Sequence, residues 1–359
     1  MKQFSCNTKI LVGSGSLSCL ADLHIQRLMI VTDPYFAQNG TAQRIASLSG
    51  ATAELFDQVA PDPSLTLVAE GTKRLLAFQP DTVLALGGGS AMDCAKAMVY
   101  FSNRATQLIA VPTTSGSGAE VTDFAILTHQ GVKHPLVDPK LRPDMAILDD
   151  ALLTQLPGSL IADSGFDLVS HALESWVATN ASPLSQALAA DALAMAFSQL
   201  PRSHAGDLAA RLPVHTAATM AGMAFSASGL GLCHAIAHAL GGVFHTPHGR
   251  LNAILLPAVL EVNGETALSA YAALSRRLAL SSGADAMAFR SLKNQLLRLR
   301  RNLSLPQTLA EAGISPNELK KAQTQLLDAA LSDPCCRTNP VKPTETHIRR
   351  ILGEVMGHG

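Results

Sequence analysis

The stretch DTVLALGGGSAMDCAKAMVYF, residues 81–101, decides the fold class. Its first seven residues are a short apolar run, and its last twelve carry apolar residues at helical spacing. Three glycines, Gly87, Gly88 and Gly89, join the two. A strand that feeds a helix through a tight turn is half of a parallel β-α-β unit. Glycines let the backbone approach a ligand without a Cβ in the way. Ser90 follows as the expected N-cap, and a helix N-terminus offers free N–H groups to an anion. The G-x-G-x-x-G fingerprint is incomplete, because Met92 stands where its third glycine would be. On this motif alone, a phosphate cradle and a plain tight turn remain equal readings.

The same pattern recurs on both sides. RLMIVTD (27–33), TAELFDQV (52–59), QLIAVPT (107–113) and DMAILD (144–149) read as further buried strands. SLTLVAEGTKRLLAF (64–78) reads as a crossover helix. Together they predict an α/β layered domain with a parallel sheet over residues 1–154. Beyond about residue 154 the strand pattern stops. Segments 182–200, 207–225, 267–280 and 288–303 are helical by spacing, so residues 155–359 are expected to form an all-helical domain. A boundary near TQLPGSL (154–160) follows.

The chain has 359 residues, too many for one ordinary core, and a net charge of −1. No basic patch of a nucleic-acid binder is visible. The six cysteines are scattered without a C-x-x-C pair, which fits a reducing compartment rather than a disulfide framework. The N-terminus lacks the order of a signal peptide, and no apolar run reaches about 18 residues. A cytoplasmic protein is expected.

Other strand ends carry polar groups. AVPTTSGSGAE (110–120) concentrates Thr113, Thr114 and Ser117, whose hydroxyls suit ribose and phosphate. Two such loops at adjacent strand ends are better support than either alone, since open α/β sheets bind ligands there. Asp33 closes the strand at 27–33. An acid there accepts from an adenine-ribose hydroxyl and disfavours a 2′-phosphate; otherwise it merely starts a turn before Pro34.

The helical half carries a different chemistry. GFDLVSHALESW (165–176) sets Asp167 and His171 four residues apart on one face. Such a pair is commonly a solvated helix face. Four of the twelve histidines fall within GLCHAIAHALGGVFHTPHGRLN (231–252): His234, His238, His245 and His248. The Gly241-Gly242 pair is expected to end their helix, with His248 in a turn between Pro247 and Gly249. One carboxylate and three imidazoles, Asp167, His171, His234 and His248, suit Fe²⁺ or Zn²⁺ with a position open to substrate. Cys233 is expected to pack, and Glu174 and Trp176 to serve helix surface and packing. A dinucleotide cradle and a Lewis-acid ion together imply hydride transfer at a C–O bond.

These residues resemble the iron-containing (group III) alcohol dehydrogenases. GGGSAMDCAKA, PTTSGSGAEVT, KHPLVDPKLRPDMAILD, GFDLVSHALESW and GLGLCHAIAHALGGVFHTPHGRLNAILLP carry the resemblance almost end to end. Particular likeness is to the propanol and ethanol dehydrogenases of bacterial propanediol and ethanolamine utilisation. The resemblance implies an N-terminal Rossmann-like α/β domain, an all-α C-terminal domain, and an active site in the cleft between them. It implies NAD(H) and one divalent metal, Fe²⁺ or Zn²⁺, and small alcohol or aldehyde substrates. It places Asp167, His171, His234 and His248 at metal-ligand positions, and His238 near the nicotinamide as a proton relay or cofactor-placing group. Asp33 falls on the adenine-ribose position, Gly87, Gly88, Gly89, Ser90 and Asp93 in the pyrophosphate loop, and Thr113, Thr114 and Ser117 in the second loop. Lys133 falls where a lysine meets the nicotinamide ribose. A homodimer and association with a bacterial microcompartment are further expectations, with no nucleic-acid or membrane partner. Ser117 stands where Thr is usual, and Arg250 where an apolar residue is commoner. A polyol dehydrogenase, a dehydroquinate synthase-like lyase and a non-catalytic nucleotide or metal binder are the competing readings. The lyase needs several basic residues near the metal, which this His-rich, apolar stretch lacks.

Overall fold

The structure, a computed structural model, describes residues 2–130 and 132–357. The chain divides into two compact units, Cys6–Leu156 and Met1–Ser5 with Pro157–Gly359.

The first unit is built on a parallel sheet. Its strands are β1 (Lys9–Val12), β2 (Arg27–Thr32), β3 (Thr52–Phe56), β4 (Thr82–Gly87), β5 (Gln107–Pro112) and β8 (Met145–Leu148), in the order β1-β8-β5-β4-β2-β3. All paired strands run parallel. Helices α1 (Pro34–Gln38), α2 (Thr41–Ser49), α3 (Leu65–Phe78) and α4 (Gly89–Ser102) connect or flank them. The apolar runs are continuous because both faces of the sheet are covered. Met29, Val31, Val83, Ala85, Leu108 and Ala110 point to one core, with Val68 and Leu75 of α3 and Cys94 and Met98 of α4. Leu28, Ile30, Leu84, Leu86, Ile109 and Val111 point to the other, with Phe36 of α1 and Ile45 of α2. Helices α3 and α4 approach so closely at Gly71 that a Cβ there would lie 2.5 Å from the sulfur of Met98.

The chain runs from β2 outward to β3, then returns to place β4 on the other side of β2. The sheet therefore switches direction between β2 and β4, where open α/β sheets hold their ligands. Asp33 and the glycine triplet stand at those two strand ends.

Two features carry no strand assignment in the sequence. β1 is a four-residue edge strand, exposed at Lys9 and Val12 and half-buried between them. β6 (Phe124–His129) and β7 (Val132–Val137) form an antiparallel hairpin. β7 is mostly exposed and contains Pro135, so no hydrophobic period marks it.

The second unit is helical: α5 (Gly158–Val177), α6 (Pro183–His204), α7 (Arg211–Ser228), α8 (Leu232–Phe244), α9 (His248–Arg277), α10 (Asp285–Asn302), α11 (Pro316–Ser332) and α12 (Glu345–Val355). Helix α5 is the central one. Every residue from Gly165 to Val177 is buried, as expected of a helix surrounded by others. Two expectations are corrected here. Helix α8 continues through Gly241 and Gly242 to Phe244. Glycine costs a helix only about 1 kcal/mol, and burial of this apolar helix outweighs it. His248 is not in a turn but is the first residue of α9, with Pro247 as N-cap. Among the described residues, no single helix is long and apolar enough to cross a membrane.

Candidate dinucleotide loops and metal centre

The three glycines of the first unit face three different polar residues. Gly87 has φ +151°, and a Cβ there would lie 2.6 Å from Ala91 Cβ and 3.7 Å from Asp33 Oδ2. A Cβ on Gly88 would lie 3.2 Å from Thr114 Oγ1, and one on Gly89 3.3 Å from Ser117 Cβ. The turn is thus a cradle that side chains would fill. Gly88, rather than Ser90, is the N-cap of α4, and no side chain caps that helix. A helix start without a side-chain cap suits an anion.

The neighbouring residues close round this turn. The Thr113 N–H donates to Gly87 O at 2.9 Å. Asp33 starts the turn into α1, its Oδ1 accepting from Tyr35 N–H and Phe36 N–H, while Oδ2 lies beside Gly87. Ser90 Oγ accepts from Asp62 N–H at 3.4 Å, and Asp62 in turn binds Lys133 Nζ at 2.7 Å. Asp33, Gly87, Gly88, Gly89, Ser90, Thr113, Thr114, Ser117 and Lys133 therefore belong to one neighbourhood of the first unit.

Asp93 lies one turn into α4. One carboxylate oxygen accepts from Ile126 N–H at 3.1 Å. The other, Oδ1, is buried without a hydrogen-bond partner, which fits a hydroxyl donor of a bound dinucleotide. Burial, only partly opposed by the charge of Lys96, pushes its pKa up to about 6. Lys96, which the sequence reading passed over, is 1 % exposed. Its ammonium donates to Thr122 O, Thr122 Oγ1 and Phe124 O at 2.9–3.0 Å. It ties α4, and with it the glycine turn, to the segment that follows the second loop. Burial lowers its pKa to about 8.

Asp93→Asn is expected to trade function for stability. It keeps an acceptor for Ile126 N–H and removes a buried ionised oxygen. Because the folded-state pKa is raised, ionised Asp93 costs stability above about pH 6 and none below about pH 4. The variant should gain about 1–2 kcal/mol near neutral pH, less whatever Lys96 loses with its neighbour, and no gain near pH 4. NAD⁺ binding should weaken about tenfold for the lost charged acceptor. Thermal melts across this pH range, with and without NAD⁺, check both signs.

In the second unit, α5 lines up Asp163, Asp167, His171 and Glu174 by steps of four and three residues. Asp167 Oδ1 is the focus of the cluster. Around it lie the Nε2 atoms of His248 at 3.5 Å, His234 at 3.6 Å and His171 at 3.7 Å. Asp167, His234 and His248 offer ligand atoms that all lie within 4.8 Å of one another. The His171 ring is sandwiched between Phe225 at 4.3 Å and His234 at 4.5 Å. His238 stacks on His248 at 5.0 Å and touches His234 edge-on. His245 stands apart, exposed, as the left-handed C-cap of α8.

Helix α9 reaches this cluster because Gly249 has no side chain. A Cβ there would lie 1.8 Å from the backbone oxygen of Asp163 and 3.2 Å from Asp167 Cβ. Arg250 then pairs with Asp163 through two hydrogen bonds, at 3.2 and 2.9 Å. The basic residue beside His248 is thus neutralised by α5.

Glu174 corrects the sequence reading. It is 3 % exposed and not on the helix surface. Its carboxylate accepts from Gly231 N–H at 3.1 Å, Cys233 N–H at 2.7 Å and His234 N–H at 3.4 Å, capping α8. It also meets His234 Nδ1 at 2.5 Å. With Nδ1–H held by Glu174, Nε2 of His234 is turned toward Asp167 and is the nitrogen that gives up its proton to a metal ion. Burial opposes ionisation of His234, but Glu174 and Asp167 outweigh it and hold its pKa at about 9. The spacing of Glu174, seven after Asp167 and three after His171, is the signal that could have found it. Trp176 is a packing residue, donating from its indole N–H to Ala270 O.

Asn252 is the other partner missed. Its Nδ2 donates to Asp167 Oδ1 at 2.9 Å and lies 3.1 Å from His248 Nε2. It follows His248 by one helical turn, on the same face. Cys233 packs as expected, fully buried with Sγ against Asn252. Burial raises its thiol pKa far above the ordinary value, so it is no ready thiolate.

One carboxylate and three imidazoles, oriented by Glu174 and Asn252, are a hard-to-borderline donor set that fits a divalent first-row ion. The sequence profile described as iron-containing alcohol dehydrogenase matches residues 7–150. That of the C-terminal part of the same family matches residues 161–356. The chain is 37% identical to the 1-propanol dehydrogenase PduQ of Salmonella typhimurium, covering 99% of this chain and 100% of that protein. It is 34% identical to an NADPH-dependent butanol dehydrogenase of Clostridium saccharobutylicum, over 98% and 97% of the two chains. The structure of an iron-containing alcohol dehydrogenase from Thermococcus thioreducens superposes with a TM-score of 0.92 at 31% identity, covering 98% of this chain and 99% of that one. The glycine cradle, the Asp-His cluster and this end-to-end similarity lead to one conclusion: the chain belongs to the iron-containing alcohol dehydrogenase family.

Proposed function

We propose that this oxidoreductase interconverts short-chain primary alcohols and aldehydes, such as 1-propanol and propionaldehyde or ethanol and acetaldehyde, with NAD(H). The observation that carries the reading is the convergence of three imidazole Nε2 atoms within 3.5–3.7 Å of Asp167 Oδ1. When bound, a divalent ion supplies Lewis acidity to the alcohol oxygen, and the nicotinamide accepts or returns the hydride. Asp167, His171, His234 and His248 hold the ion, and Glu174 keeps His234 in the tautomer that can ligate. Gly87, Gly88, Gly89 and the uncapped start of α4 receive the pyrophosphate. Thr113, Thr114, Ser117, Asp93 and Lys133 take ribose and phosphate contacts. Asp33, with one oxygen beside Gly87, favours NAD(H) by accepting from a ribose hydroxyl and repelling a 2′-phosphate.

His238 is the proton carrier of this proposal. It touches His248, and its side chain is 22 % exposed. In alcohol oxidation its Nε2 would take the hydroxyl proton and pass it on to water. The lyase alternative lacks support, since Arg250 is already neutralised by Asp163. A homodimeric, cytoplasmic enzyme, associated with a bacterial microcompartment, completes the proposal. Sizing in solution and co-fractionation with shells would test that part.

The function is tested with protein purified without oxygen, stripped of metal and reloaded with Fe²⁺ or Zn²⁺. NADH consumption with propionaldehyde is expected only after reloading, and His234→Ala is expected to lose metal and turnover together. Absence of turnover with small aldehydes and alcohols alike would sink the proposal.

A further inference from the structure

Asp333 has no part in the sequence motifs, yet it is held against His238. It links α11 to the 3-10 turn Pro334–Thr338. Its Oδ1 accepts from Cys335 N–H at 2.8 Å, which caps that turn. The N–H of Asp333 is itself engaged by Ala330 O, and Pro334 restricts the backbone just after it. The carboxylate is therefore fixed from its own segment. Its second oxygen, Oδ2, lies 2.9 Å from His238 Nδ1. The Asp333 side chain is 14 % exposed. Burial opposes its charge, but the bonds from His238 and Cys335 outweigh this and hold its pKa at about 2.

An ionised carboxylate only accepts hydrogen bonds, so the His238 nitrogen facing it carries the proton. The other nitrogen, Nε2, is then the acceptor of the ring. The stack on His248 fixes the ring plane, and the Asp333 bond fixes which edge points which way.

We infer that Asp333 is a positioning residue of the dehydrogenase, whose Oδ2 holds His238 as the Nδ1–H tautomer and so keeps Nε2 free to take the substrate proton. This rests on the relay role proposed for His238. In alcohol oxidation the O–H bond breaks and its proton forms the Nε2–H bond, while the C–H electron pair leaves as hydride to the nicotinamide. Nδ1–H remains on Asp333 throughout, and the ring returns its Nε2 proton to water. The carboxylate acts through His238 and touches no reacting atom.

The test separates this role from capping. Asp333→Ser keeps a short N-cap acceptor for Cys335 N–H but falls short of His238. The full-length protein is compared as the zinc-loaded form, with histidines labelled in ¹⁵N and the His238 signals identified by their loss in His238→Ala. In the parent, Nδ1 of His238 should carry the proton and Nε2 should not. In Asp333→Ser, the two tautomers should mix. The variant should bind one zinc per chain as the parent does, with kcat down about 10- to 100-fold and KM for the alcohol little changed. In the His238→Ala background, Asp333→Ser should have almost no further effect, since the coupling is between these two residues. Asp333→Asn has a single acceptor oxygen for two donors, Cys335 N–H and His238 Nδ1–H. It keeps either the cap or the tautomer but not both, so its kcat should lie between those of the parent and Asp333→Ser. An unchanged tautomer, an undiminished kcat, or an equal loss in the His238→Ala background would overturn the inference. So would a second zinc bound by the parent and lost in Asp333→Ser, which would make Asp333, His238 and Cys335 a cation site instead. A failure of the proposed function shows separately, as an inactive parent protein.

Discussion

Replacing Glu174 by alanine is expected to cost the protein at least about 100-fold in zinc affinity, at the upper end of what partners of metal-bound histidines contribute. Two losses combine. His234 loses the acceptor at 2.5 Å that turns its Nε2 toward Asp167. The N-terminus of α8 loses its acceptor for Gly231, Cys233 and His234 N–H. Each buried donor left without a partner costs about 1–3 kcal/mol, so the melting temperature should fall as well. Glu174→Gln separates the two. One amide oxygen can still accept, but the NH₂ faces donors where the second carboxylate oxygen stood. A drop of about tenfold in zinc affinity is expected there. Chelator-competition titrations and thermal melts of both variants give the answer. A Glu174→Ala protein with parental zinc affinity would show that His234 is oriented by other contacts.

Gly249→Ala is expected to remove the metal centre while adding a single methyl group. The new Cβ would stand 1.8 Å from Asp163 O and 2.6 Å from its carbonyl carbon. These are backbone atoms of α5, so no side chain can swing away to make room. Carbon contacts settle at about 3.5–4.0 Å, so α5 and α9 would have to part by on the order of 1.5 Å. Constellations of this kind tolerate about 0.5 Å. Asp167 and His171 ride on α5 and His248 on α9, so the shift divides the ligand set. Overpacking costs about 1–3 kcal/mol and sometimes more, and the expected loss lies at or above the top of that range. Zinc content after dialysis and the melting temperature of the metal-free protein read the two effects. Full zinc occupancy with parental stability would contradict the close helix contact.

What the sequence disclosed follows from how strongly each feature marks it. The central strands are covered on both faces and so are apolar without interruption, as in TVLALG of β4. The glycine triplet is legible because its turn is tight, with Gly87 at φ +151° and Thr114 and Ser117 close to Gly88 and Gly89. Asp167, His171, His234 and His248 are legible as spaced clusters of uncommon residues. The edge strand β1 and the hairpin strand β7 are short and largely unburied, so no period marks them. Glu174 is not legible, because a lone carboxylate on a helix usually lies on its surface. Its partners on α8 lie 57 to 60 residues away. Asp333 lies 95 residues from His238, and no local pattern joins them. Residues that bear the chemistry leave a motif. Those that orient them are placed by packing, and a single sequence shows them only where helical spacing puts them on the same face.

The central claim is that the metal is held by one carboxylate and three imidazoles. X-ray absorption at the metal edge of the protein loaded with a single equivalent of zinc tests it most directly. The account predicts a first shell of nitrogen and oxygen only, with the outer-shell scattering of several imidazoles, diminished in His234→Ala. Sulfur in the first shell, from Cys233 or Cys335, would contradict it.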